Sequence, residues 1–162
     1  IGDQNCLLLV AGSQQVWAKS EALILKLGGQ AQYLGEEVGA PSHLDHALIA
    51  PSIMMQMAVI QGMHMAQKAG VDLDFYSKMM SSLPGSLKAD LERHTRAIID
   101  KDFSEVQASI RTWKEALGRV LEEGQTSKIN VDLLNGVNQI LVQGVEQGVG
   151  EEDIAALTKI MS

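Results

Sequence analysis

The stretch Gly39-Ala40-Pro41-Ser42-His43-Leu44-Asp45-His46-Ala47-Leu48 holds the side chains most able to do chemistry in this 162-residue chain. His43 and His46 stand three apart, so on a helix they are neighbours. Two imidazoles and a carboxylate are a possible metal set, but Asp45 points to another side of such a helix. A structural alternative has Ser42 capping the helix with Asp45 at its third position, where the helix dipole favours an acid. If Asp45 instead faces an apolar cleft, desolvation raises its pKa toward the range useful for proton transfer. The flanking histidines pull the other way, and the sequence leaves these readings open.

Other chemistry lacks its pattern. No G-x-G-x-x-G or G-x-x-x-x-G-K loop is present to cradle phosphate. No cysteine pair or H-E-x-x-H suggests zinc, and no nucleophile elbow holds a serine. The expectation is therefore no metal. Cys6, the single cysteine, lies in an apolar run and reads as a small buried thiol in a reducing, cytoplasmic protein. The methionines 54, 55, 57, 63 and 65 read either as core filler or as the wall of a pliable pocket, and Trp113 either as packing or as ligand contact. His64 reads as a core histidine and His94 as a surface residue.

The elements that must position these groups follow from composition and periodicity. Aromatics are 4% of the chain and methionines number eight, which favours packed helices over a sandwich of strands. The net charge of -7, with no basic stripe, argues against nucleic acid. Residues 46–67 carry no Asp, Glu, Lys or Arg. That run is long enough to cross a bilayer. Its glutamines and its lack of an aromatic belt or basic flank favour the buried centre of a soluble fold or dimer instead.

Cys6–Ala11 and Ala31–Leu34 read as short buried strands. A helix from Val16 to Leu27 lies between them, capped by Ser13 and ended by Gly28-Gly29. A long helix follows from about His43 to Ala69, kinked at Pro51. Asp72 or Asp74 caps a short helix through Met80, Leu83-Pro84-Gly85 turns the chain, and Ser86 caps a helix through Ile99. Ser104 with Gln107 forms a capping-box pattern, stapled by Phe103. It predicts a helix with Ile110, Trp113, Leu117 and Val120 on one stripe. Asp132–Gln147 is a helix with Leu133, Val137, Ile140, Leu141 and Val145 inward, and Glu151–Met161 is a last amphipathic helix. A lone β-α-β unit does not make a sheet of its own, so the expectation is a piece of a longer polypeptide.

Three segments resemble one superfamily across essentially the whole chain. Ile1-Gly2-Asp3-Gln4-Asn5-Cys6-Leu7-Leu8-Leu9-Val10-Ala11-Gly12-Ser13 is similar to the last strands of the Rossmann domain of β-hydroxyacid dehydrogenases. Tyr33-Leu34-Gly35-Glu36-Glu37-Val38-Gly39 and the stretch after it resemble the imine reductase and reductive aminase branch, where a similar segment leads into the interdomain helix. Ala116-Leu117 and Gly148-Val149-Gly150-Glu151-Glu152-Asp153-Ile154-Ala155-Ala156-Leu157 resemble that branch's C-terminal domain.

The resemblance implies a mainly α fold: a 6-phosphogluconate dehydrogenase-like C-terminal helical domain with a long interdomain helix, preceded by a β-α-β remnant of a Rossmann domain. It implies residues 1–38 as the end of the NADP-binding domain and 39–162 as the dimerisation and substrate domain. It implies hydride transfer from NADPH to an imine or iminium carbon in a homodimer interlocked through its helices. The nicotinamide-binding residues would lie mostly outside this chain. Dehydrogenases of the superfamily place a catalytic lysine at the start of this helix, and here that position is Asp45, which fits a group that protonates or orients the substrate nitrogen. Met54, Met57 and Trp113 would line the substrate pocket. Ile53, where reductive aminases often carry an aromatic residue, is a departure, as is Pro51. Two alternatives are a β-hydroxyacid dehydrogenase and a non-catalytic helical dimerisation module.

Overall fold

The computed structural model describes residues 3–82 and 86–161, without the side chains of Ser86 and Leu87. The chain divides into two compact units, Ile1–Met57 and Ala58–Ser162. In the first unit, β1 (Leu7–Val10) and β2 (Gln30–Tyr33) pair in parallel, Leu7 opposite Gln30 and Val10 opposite Tyr33. Helix α1 (Gln14–Ile24) links them, and helix α2 (Ala40–Lys68) begins in this unit and ends in the second. Helix α1 stops before the expected Leu27. A Cβ on Gly29 would overlap the backbone of Gln4, so the Gly28-Gly29 turn needs a residue without a side chain.

The second unit holds α3 (Leu73–Ser82), α4 (Ser86–Asp100), α5 (Ile110–Thr126), α6 (Asp132–Glu146) and a 3-10 helix (Ile154–Lys159). Asp72 starts α3 by accepting the N–H of Phe75 at 2.8 Å, as its position predicts. The expected turn at Leu83-Pro84-Gly85 and the expected cap by the Ser86 side chain lie outside the described residues. Phe103, Ile110, Leu141, Val149, Ala155, Ala156 and Leu157 form the core of this unit. Ile110 is fully buried, which contributes about 1.5–3 kcal/mol. Helix α6 meets the 3-10 helix closely at Gly144, where a Cβ would stand 2.7 Å from Leu157 Cδ2.

Several sequence expectations are corrected. The helix after Phe103 starts at Ile110, not Ser104. Asp102 captures Ser104 first, accepting its N–H at 3.0 Å and its hydroxyl at 2.7 Å. That closes a local turn in competition with helix. The cap is Ser109, which accepts the N–H of Thr112 at 3.2 Å, and Phe103 is a core residue rather than a staple. The last helix is a 3-10 segment capped by Asp153, which accepts the N–H of Ala155 at 3.0 Å. Ser42 is not a cap, because α2 already begins at Ala40. Pro41 sits in the first turn, where its missing N–H costs no helical bond.

The largest departure concerns burial. Helix α2 includes Pro51 and is long and apolar enough to cross a membrane by length and composition, yet none of its residues is buried within the chain. Met54, Met55 and Met57 are exposed rather than core filler, and His64 is exposed rather than a core histidine. On α5 and α6, Trp113, Val137 and Ile140 are also exposed, where inward packing was expected.

Candidate functional site

Asp45 lies in the second turn of α2 and is exposed. At about 100° per residue, Ile49, Ser52 and Ile53 share its side of the helix. Ile49 and Ile53 are 47% and 56% exposed, so the carboxylate heads an open and mostly aliphatic strip. The Ser52 hydroxyl is spent on a 2.8 Å bond to the Leu48 carbonyl. His43 and His46 do not complete a metal set with Asp45: no group of three or more His, Cys, Asp or Glu among the described residues can hold a metal ion. Met54 is nine residues on, about half a turn around the helix from Asp45, and Met57 is about a third of a turn away. One chain therefore does not bring Met54 and Asp45 to a common face.

The backbone that leads into α2 is tied down. The Tyr33 hydroxyl donates to the Gly12 carbonyl at 2.7 Å, and its ring stacks on Trp17, with centroids 5.4 Å apart and planes 3° from parallel. Gly12 N–H donates to the Gly35 carbonyl at 3.0 Å. Both glycines have positive φ, 139° and 93°, a conformation that suits glycine. The expected capping of α1 by Ser13 is replaced: the Ser13 side chain makes no cap bond, and Glu36 accepts the Gln14 N–H at 3.4 Å.

That last contact bears on the nucleotide. A dinucleotide pyrophosphate needs a glycine-rich turn and a free helix N-terminus, helped by cations. In residues 1–57 the only Lys or Arg are Lys19 and Lys26. The β1–α1 turn points its helix N-terminus at the Glu36 carboxylate. The β1–α1 turn does not fit the phosphates of NADPH.

Trp113 belongs to the second unit. With Ala116, Leu117, Val137, Ile140, Leu157 and other apolar side chains of α5, α6 and the 3-10 helix, it lines an open groove of about 370 Å³. The same unit holds a feature the sequence reading missed. Asp153 is 1% exposed. It takes an ion pair from Arg93 and approaches His94 Nε2 at 3.7 Å. Arg93 also reaches Asp90 at 3.2 Å and His94 Nε2 at 3.0 Å, so His94 is part of this cluster rather than a plain surface residue. Burial lowers the Arg93 pKa, but its bonds to Asp90 and Asp153 outweigh that and hold it above the ordinary value. No sequence pattern marks the pair, whose members are 60 residues apart.

Comparison with known proteins gives the fold its class. No family model matches the chain. It is 23% identical over 164 residues to an NADPH-dependent reductive aminase of Aspergillus oryzae, covering 97% of this chain and 54% of that protein. An imine reductase from Myxococcus stipitatus in complex with NADP+ superposes on the whole chain with a TM-score of 0.94 at 22% identity, over 59% of its own length. A reductive aminase from Aspergillus terreus in complex with NADPH and ethyl levulinate gives 0.87 at 18% identity, over 56% of its length. The chain has the fold of the helical C-terminal domain of imine reductases, with the small parallel sheet ahead of it. It spans little more than half the length of these relatives.

Proposed function

We propose that this chain is the C-terminal part of an NADPH-dependent oxidoreductase that reduces imines or iminium ions to amines by hydride transfer. The observation that carries the reading is Asp45. It is a lone carboxylate in the second turn of an exposed apolar helix, in a chain whose whole length superposes on an imine reductase. A carboxylate is the group a substrate nitrogen needs, because it stabilises positive charge on that nitrogen or supplies its proton. In this reading residues 1–38 close an NADPH-binding domain and 39–162 form the dimerisation and substrate domain. The bound dinucleotide supplies the hydride, and residues outside this chain hold it. Asp45 is the catalytic acid, and Met54, Met57 and Trp113 line the pocket.

A homodimer completes the reading. Helix α2 exposes Leu48, Ile49, Ile53, Met54, Met57 and Ile60, and exposed apolar surface of this kind marks an interaction site. The groove beside Trp113 is a second uncovered apolar face. A second copy covering both is the economical solution for a cytoplasmic enzyme.

The test follows NADPH absorbance with a simple cyclic imine, in a polypeptide that carries an NADPH-binding half ahead of this chain. Asp45→Ala is expected to lower kcat about a hundredfold, within the range that general acids contribute. Full turnover in Asp45→Ala, or oxidation of a β-hydroxy acid in place of imine reduction, would overturn the assignment. This chain alone is expected to oxidise no NADPH.

A further inference from the structure

Residues Gly35–Gly39, which join β2 to α2, are held from several sides. Gly35 is gripped through its carbonyl by Gly12. Glu36 is gripped through its carboxylate by Gln14, the first residue of α1. Glu37 accepts the Ala40 N–H at 3.1 Å, and Gly39 accepts the His43 N–H at 3.1 Å. Val38, 80% exposed, carries none of these bonds. Two of them, to Gly35 and Glu36, come from the turn at Gly12–Gln14, and one side chain braces that turn. The Tyr33 hydroxyl holds the Gly12 carbonyl, and its ring is pinned against Trp17 of α1.

We propose that Tyr33 is a positioning residue for Asp45, acting through the Gly12–Gly35 clasp to fix the direction in which α2 leaves the sheet. The proposal rests on Asp45 as the acid of the proposed reaction and adds a residue that never touches substrate. Asp45 lies six residues into a helix whose first turn is set by Glu37 and Gly39. A small rotation at Gly35 therefore moves the carboxylate without unfolding anything. Proton transfer tolerates little such movement, because the donor must stay within hydrogen-bond reach of the nitrogen.

The experiment compares Tyr33→Phe, Gly35→Ala and Asp45→Asn in the NADPH-competent polypeptide. Tyr33→Phe is expected to lower kcat about tenfold, with the KM for NADPH and for the imine within about twofold. Gly35→Ala, strained at φ 93°, is expected to do the same. The double variant should fall little below the worse single one, because both act through one clasp. Amide exchange adds a readout free of turnover: amides at His43–Leu48 should exchange about fivefold faster in Tyr33→Phe, with those of α1 and β1 unchanged. A merely structural tyrosine would instead lower the melting temperature and raise exchange throughout the unit, with kcat of the folded protein intact. That result, or kcat within twofold of the parent, overturns the proposal while leaving Asp45 as the acid. Undiminished turnover by Asp45→Asn removes the acid itself and the positioning role with it.

Discussion

The guanidinium of Arg93 on α4 closes on the carboxylate of Asp153, which caps the 3-10 helix while almost wholly shielded from water. Asp153 also fixes the Phe103 carbonyl through its own N–H at 3.1 Å, so one residue joins α4, the Phe103 loop and the last helical turn. Arg93 Nε is buried and has no partner among the described residues, so the cation depends on the bonds at its other two nitrogens. Asp153→Ala is expected to cost about 1–3 kcal/mol, because it removes a helix cap and one of the two carboxylates that hold a partly buried cation. Urea unfolding of the chain measures this, and a loss under 1 kcal/mol would mean the pair is only decorative.

Gly62 on α2 faces Tyr76 on α3. The Tyr76 hydroxyl occupies the place where a Cβ on residue 62 would stand, and the ring carbon behind it is 3.3 Å away. Gly62→Ala is expected to destabilise by about 1–3 kcal/mol through overpacking, despite alanine's better helix propensity. Tyr76→Phe removes the clashing oxygen, so the double variant should recover most of the loss. Thermal melts of the four proteins decide it, and an additive double variant would rule the clash out.

Lys101 and Lys128 both sit at φ 54°. Each follows a helix whose end is closed by a six-to-one bond: Asp102 N–H to the Ala97 carbonyl at 3.1 Å, and Ile129 N–H to the Gly124 carbonyl at 2.8 Å. Glycine is the residue that adopts this conformation without strain. Lys101→Gly and Lys128→Gly should each raise stability by about 0.5–1 kcal/mol. A lower denaturation midpoint for either would show that the lysine side chain contributes more than its backbone strain costs.

The Asp102 carboxyl is held below its ordinary value of 3.8, first by the Ser104 hydroxyl and then by the Ser104 N–H. The native pKa lies below the unfolded one, so the turn is supported fully above about pH 3.8. That support is lost as the pH falls through the lower native value. Ser104→Ala removes the hydroxyl and should move the titration back toward 3.8. Carboxyl NMR resolves this, and identical titrations in parent and variant would exclude the Asp102–Ser104 bond in solution.

The uncovered face of α2 makes a mass prediction. Light scattering of the chain should give twice its 17.5 kDa. Met57→Glu, which places a charge on an exposed apolar position, should return it to a monomer. A monomeric parent would count against the interlocked assembly.

What the sequence determined by itself was local. The run Leu7–Val10 and the period of Asp132–Glu146 wrote strand and helix into adjacent residues, because a few neighbours suffice to satisfy the backbone. Asp72 or Asp74 could be read as a cap, and the order strand-helix-strand-long helix followed from apolar runs, helical spacing and glycine punctuation. Asp45 could be singled out as a candidate, because a charge heading an uncharged run is a one-dimensional contrast. Ser104 misled because a cap and a local turn use the same side chain, and only the fold chose Asp102 as its partner. Apolarity told which helices seek cover but not where the cover is, so Met54, Met57 and Trp113 proved exposed within the chain. Asp153 was silent for the same reason. Its meaning depends on Arg93, far away in sequence, and on a burial that exists only once the Phe103 loop and the last turn have closed over both.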